Sequence, residues 1–157
     1  MTAYTSKVTF TRPANTTAYT AGDVVGPTAA AIEFASFAPP ASHFVITDAD
    51  LRIDVAAVPS GMTTFKLHLY DATPPSALAD NAAWDLPAGD RANYLGFITL
   101  DPPVDMGSTL FISMNAVNKK LKLGAGSTSL FGYLVTTTGF TPSSATVKTI
   151  RLNAIGV

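Results

Sequence analysis

Histidine is the side chain best suited to moving protons near neutral pH, and this chain has two, His43 and His68. A serine hydrolase would need one of them beside an activated hydroxyl, but there is no Gly-x-Ser-x-Gly elbow to expose a nucleophile. His68 alternates with the apolar residues Leu67 and Leu69, which reads as a polar or interface position. His43 stands between Pro39-Pro40 and Phe44, at the entry to a strand. Two histidines without any cysteine do not make a standard structural zinc site. Asp48, Asp50 and Asp54 look like a carboxylate cluster. They lack the glycine and terminal glutamate of a calcium loop, and Arg52 shares their strand face, so a solvated, partly ion-paired face is expected. Glu33 is the only glutamate. Pairing it with an aspartate for glycoside hydrolysis carries almost no signal in a chain with this many aspartates. Lys119, Lys120 and Lys122 form the one basic cluster, followed by Gly124-Ala-Gly126. Lys120 and Lys122 alternate with Leu121 and Leu123 as on a strand with one wet face, where lysines also guard an edge against unwanted pairing. No catalytic residue, metal site or cofactor is assigned.

The elements that hold these residues are strands. Glutamine is absent, while Thr, Val, Phe and Gly are plentiful, and eleven Pro and eleven Gly punctuate the chain. Period-two alternation predicts strands over 7–11, 30–37, 44–58, 63–70, 94–100, 109–117, 120–123, 129–137 and 146–154. In the clearest, Leu51, Ile53 and Val55 share one face and Asp50, Arg52 and Asp54 the other. Phe65, Leu67 and Leu69 repeat the pattern, and Val58-Pro-Ser-Gly-Met62 reads as a hairpin turn between the two. Eight or nine strands without βαβ alternation imply an all-β fold, an antiparallel β-sandwich of jelly-roll type, as one domain over 1–157. One segment, 71–93, is too long for a hairpin loop. Ser76 is placed to cap a short helical turn through Leu78 and Ala79, and the sole tryptophan, Trp84, lies here either to pin the loop or to meet a partner. Residues 1–6 read as a flexible N-terminal arm.

Charged residues make up only 13% of the chain and the formal net charge is −1, which argues against nucleic acid or anionic lipid as a partner. Low charge beside 47% apolar residues leaves two readings open: an apolar surface covered by another subunit, or a surface solvated by Thr and Ser hydroxyls. The start has no apolar core of a signal peptide and no apolar run approaches membrane-spanning length, so synthesis in the cytoplasm is expected.

Three stretches carry a family likeness. They are Lys7 to Gly26, Leu69 to Arg91 with Tyr94-Leu-Gly96, and Ser129 to Thr138 with Phe140-Thr-Pro142. In wording they resemble small all-β virion structural proteins of tailed bacteriophages, of the capsid decoration (cement) type. The resemblance implies a non-enzymatic protein on the outer capsid surface of the virion, bridging subunits of the major capsid protein. It further implies a homotrimer matched to three-fold positions. The alternative is a tail or fibre-associated module that binds a host glycan by stacking on Trp84, Tyr94 or Tyr133. Candidate partner-contact residues are Trp84, Leu86, Tyr94 and Tyr4.

Overall fold

The structure, a computed structural model, describes residues 1–157. Nine strands form: β1 (Ala3–Thr11), β2 (Ile32–Phe34), β3 (His43–Ile53), β4 (Phe65–Tyr70), β5 (Tyr94–Leu100), β6 (Val104–Asp105), β7 (Leu110–Lys122), β8 (Leu130–Thr136) and β9 (Val147–Gly156). A five-stranded sheet runs β1-β9-β3-β7-β6 and a four-stranded sheet runs β2-β8-β4-β5, with every pairing antiparallel. Setting aside the two-residue β6, the pairs β1·β9, β2·β8, β3·β7 and β4·β5 are nested. The chain is thus one long double strand, folded back between β4 and β5 and wound over itself. That winding is the jelly roll.

Alternation fills the space between the sheets. Lys148, Ile150, Leu152 and Ala154 of β9 point inward, as do Phe65, Leu67 and Leu69 of β4; the main apolar core numbers 28 residues. In β3 the inward phase slips by one residue, from Phe44 and Ile46 to Ala49, Leu51 and Ile53. A bulge at Thr47 absorbs the slip against β9. Against β7 the same place sets three residues, Ala116 to Asn118, opposite one. Ala116 and Asn118 there adopt left-handed backbone, φ 62° and 53°.

Several expectations are corrected. The N-terminal arm is structured: Ala3 to Ser6 pair with Ile155 to Leu152, because β9 runs on to Gly156 and gives the arm a ladder to join. Val58 to Met62 does turn, with Met62 N–H on Pro59 O at 3.1 Å, but it carries the chain from one sheet to the other and makes no hairpin. Alternation fixes which face of a strand is buried; it does not fix the neighbour. Segments 109–117 and 120–123 are one strand, β7, and strand 30–37 shrinks to Ile32–Phe34. The long 71–93 segment is present. No helix forms at Ser76, whose hydroxyl bonds Tyr133 instead, and the one helical turn is 3-10 at Arg91–Asn93. A second long irregular segment, residues 12–31, fills the gap expected between strands 7–11 and 30–37, with isolated bridges at Asp23 and Val24.

Candidate functional site

The outer face of the four-stranded sheet is the chemically distinctive surface. Lys66, His68 and Tyr70 of β4 point there, since Phe65, Leu67 and Leu69 face the core. Register then sets Phe97 and Tyr133 beside His68, Thr99 and Val135 beside Lys66, and Phe131 and Tyr94 beside Tyr70. A sheet face this aromatic needs cover, and the two long segments supply it. Residues 22–25 continue the sheet along the edge of β8, with Val25 N–H on Leu134 O (2.7 Å) and Thr136 N–H on Asp23 O (3.0 Å), and carry 81–84 on their other side through Val24 N–H to Ala82 O (2.8 Å), Asn81 N–H to Val24 O (2.8 Å) and Trp84 N–H to Gly22 O (2.9 Å). Val24, Tyr70, Tyr133 and Val135 form a second apolar cluster, against which Leu78, Trp84, Leu86 and Tyr94 pack.

Phenols hold this cover down. Trp84 Nε1 donates to the Tyr70 hydroxyl at 3.2 Å, and Leu78 N–H donates to the Tyr133 hydroxyl at 3.0 Å. Buried Asp90 accepts from Ser76 N–H at 3.1 Å. A phenylalanine at either tyrosine would leave a donor without its acceptor. Trp84 stacks on His68 with centroids 3.7 Å apart and planes inclined 21°, and His68 Nδ1 shares a hydrogen bond with the Tyr94 hydroxyl at 2.9 Å. Burial lowers the His68 pKa from 6.5 to about 4, and the nearby Lys66 ammonium adds to this. The imidazole is neutral at pH 7. Burial also pushes the Tyr70 and Tyr94 phenols up, so both stay protonated.

A polar hub anchors the far end of the cover. Arg12, fully buried, donates to the Tyr19 hydroxyl (3.0 Å), Asn15 Oδ1 (3.0 Å), the Asn15 carbonyl and Asp80 Oδ2 (3.4 Å). Asp80 also accepts from the Tyr19 hydroxyl at 2.6 Å and Gly26 N–H at 3.0 Å. Lys148, inward on β9 and only 2% exposed, feels both charges. Burial, then Arg12, lower its pKa to about 8 against a smaller opposing pull from Asp80. Neither Arg12 nor Lys148 was singled out from sequence. The one signal available was a lysine at an inward position of an alternating strand.

The structure brings Trp84, Leu86 and Tyr94 together on the covered face, each half-buried against this chain's own sheet. Tyr4 stands apart on β1, its ring against Gly156 and the main core. Asp50 is buried and ion-paired to Arg151, a partner 101 residues away, and it accepts from Ser113 Oγ at 2.9 Å. Arg52, the expected partner, lies instead over the Phe111 ring at 6.0 Å. Asp48 accepts from its neighbour Thr47 at 2.6 Å, and Glu33 from Ser129 Oγ at 2.8 Å. His43 is exposed at the start of β3. Lys120 and Lys122 are exposed and Leu121 is buried, as the alternation predicts. No helix is long and apolar enough to cross a membrane.

The site thus belongs to an all-β jelly-roll sandwich with one aromatic, loop-clad face. No family model matches the chain, and no curated protein is significantly similar to it. Solved structures similar to it include the C-terminal CBM6 of LamC, a marine laminarinase from Zobellia galactanivorans. That match has 11% identity and a TM-score of 0.36, covering 96% of this chain and 98% of that one. Another is the decameric BFDV capsid protein, at 12% identity and TM-score 0.40, covering 99% and 95%. A third is the cyanophage Pam1 capsid asymmetric unit, at 15% identity and TM-score 0.34, covering 98% and 82%. At such scores function has to be argued from this chain's own residues.

Proposed function

We propose that this chain is a non-enzymatic structural virion protein of a tailed phage, one that decorates and cements the outer capsid surface. The observation that carries the reading is the covered sheet face. Trp84, Tyr70, Tyr133 and His68 are all used to fasten the chain's longest loop to its own sheet, which makes loop and sheet one rigid block. Three groups able to do acid–base work are held in internal contacts: His68 under Trp84, Asp80 on Arg12 and Asp50 on Arg151. The resemblance of three long stretches to phage decoration proteins supplies the setting, and the low charge suits dense packing of copies. In this reading the partner is the major capsid protein and the copies form a trimer on three-fold positions. Bound copies stabilise the shell by mass action because they favour the assembled state. Quantitative mass spectrometry of purified particles tests it. Copy numbers comparable to the capsid subunit are expected, and a handful per virion would sink it.

The second reading is a tail or fibre-associated module that binds a host glycan. It rests on Trp84, which with Lys66, His68 and Thr137 lines an open cleft of about 350 Å³. Of the other stacking candidates, Tyr133 is 1% exposed and unavailable to a ligand. A glycan array on the intact protein discriminates: saturable binding lost in Trp84→Ala, with the fold retained, would favour this reading over the first.

A further inference from the structure

The inner face of the five-stranded sheet holds a buried cation with no carboxylate bonded to it. Lys148 has Ile53 of β3 on one side and Phe10 of β1 on the other. The alternation that buries Ile150, Leu152 and Ala154 buries its amine too. Its ammonium takes part in neither ion pair of the fold, which are Arg12–Asp80 and Arg151–Asp50. Polar groups nearby are spent on other donors: the Ser143 carbonyl receives Thr146 Oγ1 at 2.8 Å and Arg12 Nη1 at 3.3 Å.

Lys148 borders a small pocket of about 10 Å³ at the end of β3. Ile53, Val55, Met62 and Phe140 give it apolar walls, and Ser143 and Thr146 form its polar side. Arg12 closes on the same place: its backbone N–H bonds Thr146 O at 3.2 Å while its guanidinium reaches Ser143 O. Asp80, the one carboxylate acting on Lys148, is engaged by Arg12, the Tyr19 hydroxyl and Gly26 N–H. A lysine desolvated in an apolar pocket beside a second cation is the arrangement that makes an amine nucleophilic. With its pKa lowered to about 8, about half of Lys148 is neutral at pH 8, against about 0.3% of an ordinary lysine. A pocket of this size admits only the smallest ligands. Its walls favour an uncharged one, and Arg12 favours one that becomes an anion on reaction.

We propose that Lys148 is a covalent modification site for carbon dioxide, held as a carbamate on Nζ with its negative charge beside Arg12. The Nζ lone pair bonds the carbon of CO2, one C=O π pair moves onto oxygen, and an N–H proton leaves to water. Neutral amine plus CO2 thus gives a carbamate anion and one proton, with no oxidant or reductant involved. The reaction replaces two like charges, Lys148 and Arg12, by an opposite pair in a poorly solvated place, where such a change counts most. This chemistry is independent of both the virion reading and the glycan reading.

The test uses the full chain at about pH 8, where half the amine is neutral, equilibrated with carbon-13 bicarbonate and its CO2. Carbon-13 NMR should show a carbamate resonance that disappears in Lys148→Arg, which keeps a cation but offers no amine. Any carbamate on the Met1 amine stays in both proteins. Trapping with triethyloxonium followed by peptide mass spectrometry should place an ethoxycarbonyl group on Lys148. Its level there should be about tenfold or more that on the exposed Lys120 and Lys122, whose amines are mostly protonated. Should Lys148→Arg fail to fold by circular dichroism, Lys148→Met carries the comparison. A resonance pattern unchanged in the variants, no trapped group on Lys148, or a level there no higher than on the exposed lysines would each overturn the proposal.

Discussion

Lowering the pH should unfasten the loop cover through His68. The folded protein holds this imidazole near pKa 4, against 6.5 for the free side chain. Between those values the unfolded chain binds the proton and the folded one does not, so stability falls as pH falls through the window and is fully present above pH 6.5. At 1.36 kcal/mol per pKa unit the gap is worth about 3 kcal/mol, with little discount for solvent because the residue is 4% exposed. The stack on Trp84 works the other way, since an imidazolium over an indole gains about 0.5–2 kcal/mol. The net loss from pH 7 to pH 4 is therefore about 1–3 kcal/mol, or roughly 2–12 °C in Tm at this chain length. Urea denaturation followed by fluorescence of Trp84, the sole tryptophan, reads it directly. Each pH compares wild type with His68→Gln, so that the carboxylates common to both cancel. The wild type should lose about 1–3 kcal/mol more than the variant over this range. Parallel curves, or an NMR titration placing His68 at 6.5 or above, would refute the reasoning.

Lys148→Met should stabilise the protein by about 1–3 kcal/mol at pH 7, because the ammonium sits buried beside Arg12. Its folded pKa is lowered, so wild-type stability should climb as pH rises from 8 toward 10 and the variant's advantage should shrink, measured by the same denaturation. Arg12→Met strands the buried Asp80 carboxylate and should cost about 3–5 kcal/mol. Thermal unfolding by circular dichroism checks it, and a loss under about 1 kcal/mol would show the pair to be dispensable. Gly61→Ala should cost about 2–5 kcal/mol. The residue has φ 89° and a Cβ there would lie 2.3 Å from the Gly139 carbonyl; an unchanged urea midpoint would contradict this.

Much of the fold was legible because alternation is a local signal. Leu51 and Ile53, or Phe65, Leu67 and Leu69, announce a half-buried strand without reference to anything else. What alternation omits is the partner. β3 and β4 each turn one face to the main core, and nothing in their sequences says that they face each other across it and are not hydrogen-bonded neighbours. The N-terminal arm was misjudged for the same reason, since Ala3 and Thr5 look solvated whether or not β9 lies alongside. The surface was legible only in part. A lone tryptophan in a long loop drew attention to Trp84, but its seat on His68 and Tyr70 joins segments that only the folded sheet brings together. Arg12 and Asp80, 68 residues apart, gave no sign of each other. Their pairing follows from winding the jelly roll.

The most direct test of the structural-virion account is an image reconstruction of the particle that carries this chain. It should show nine-stranded jelly rolls on the outer shell, grouped about three-fold or quasi-three-fold positions and touching more than one capsid subunit. Density for the chain confined to the tail or a fibre, or its absence from the particle, would contradict the account.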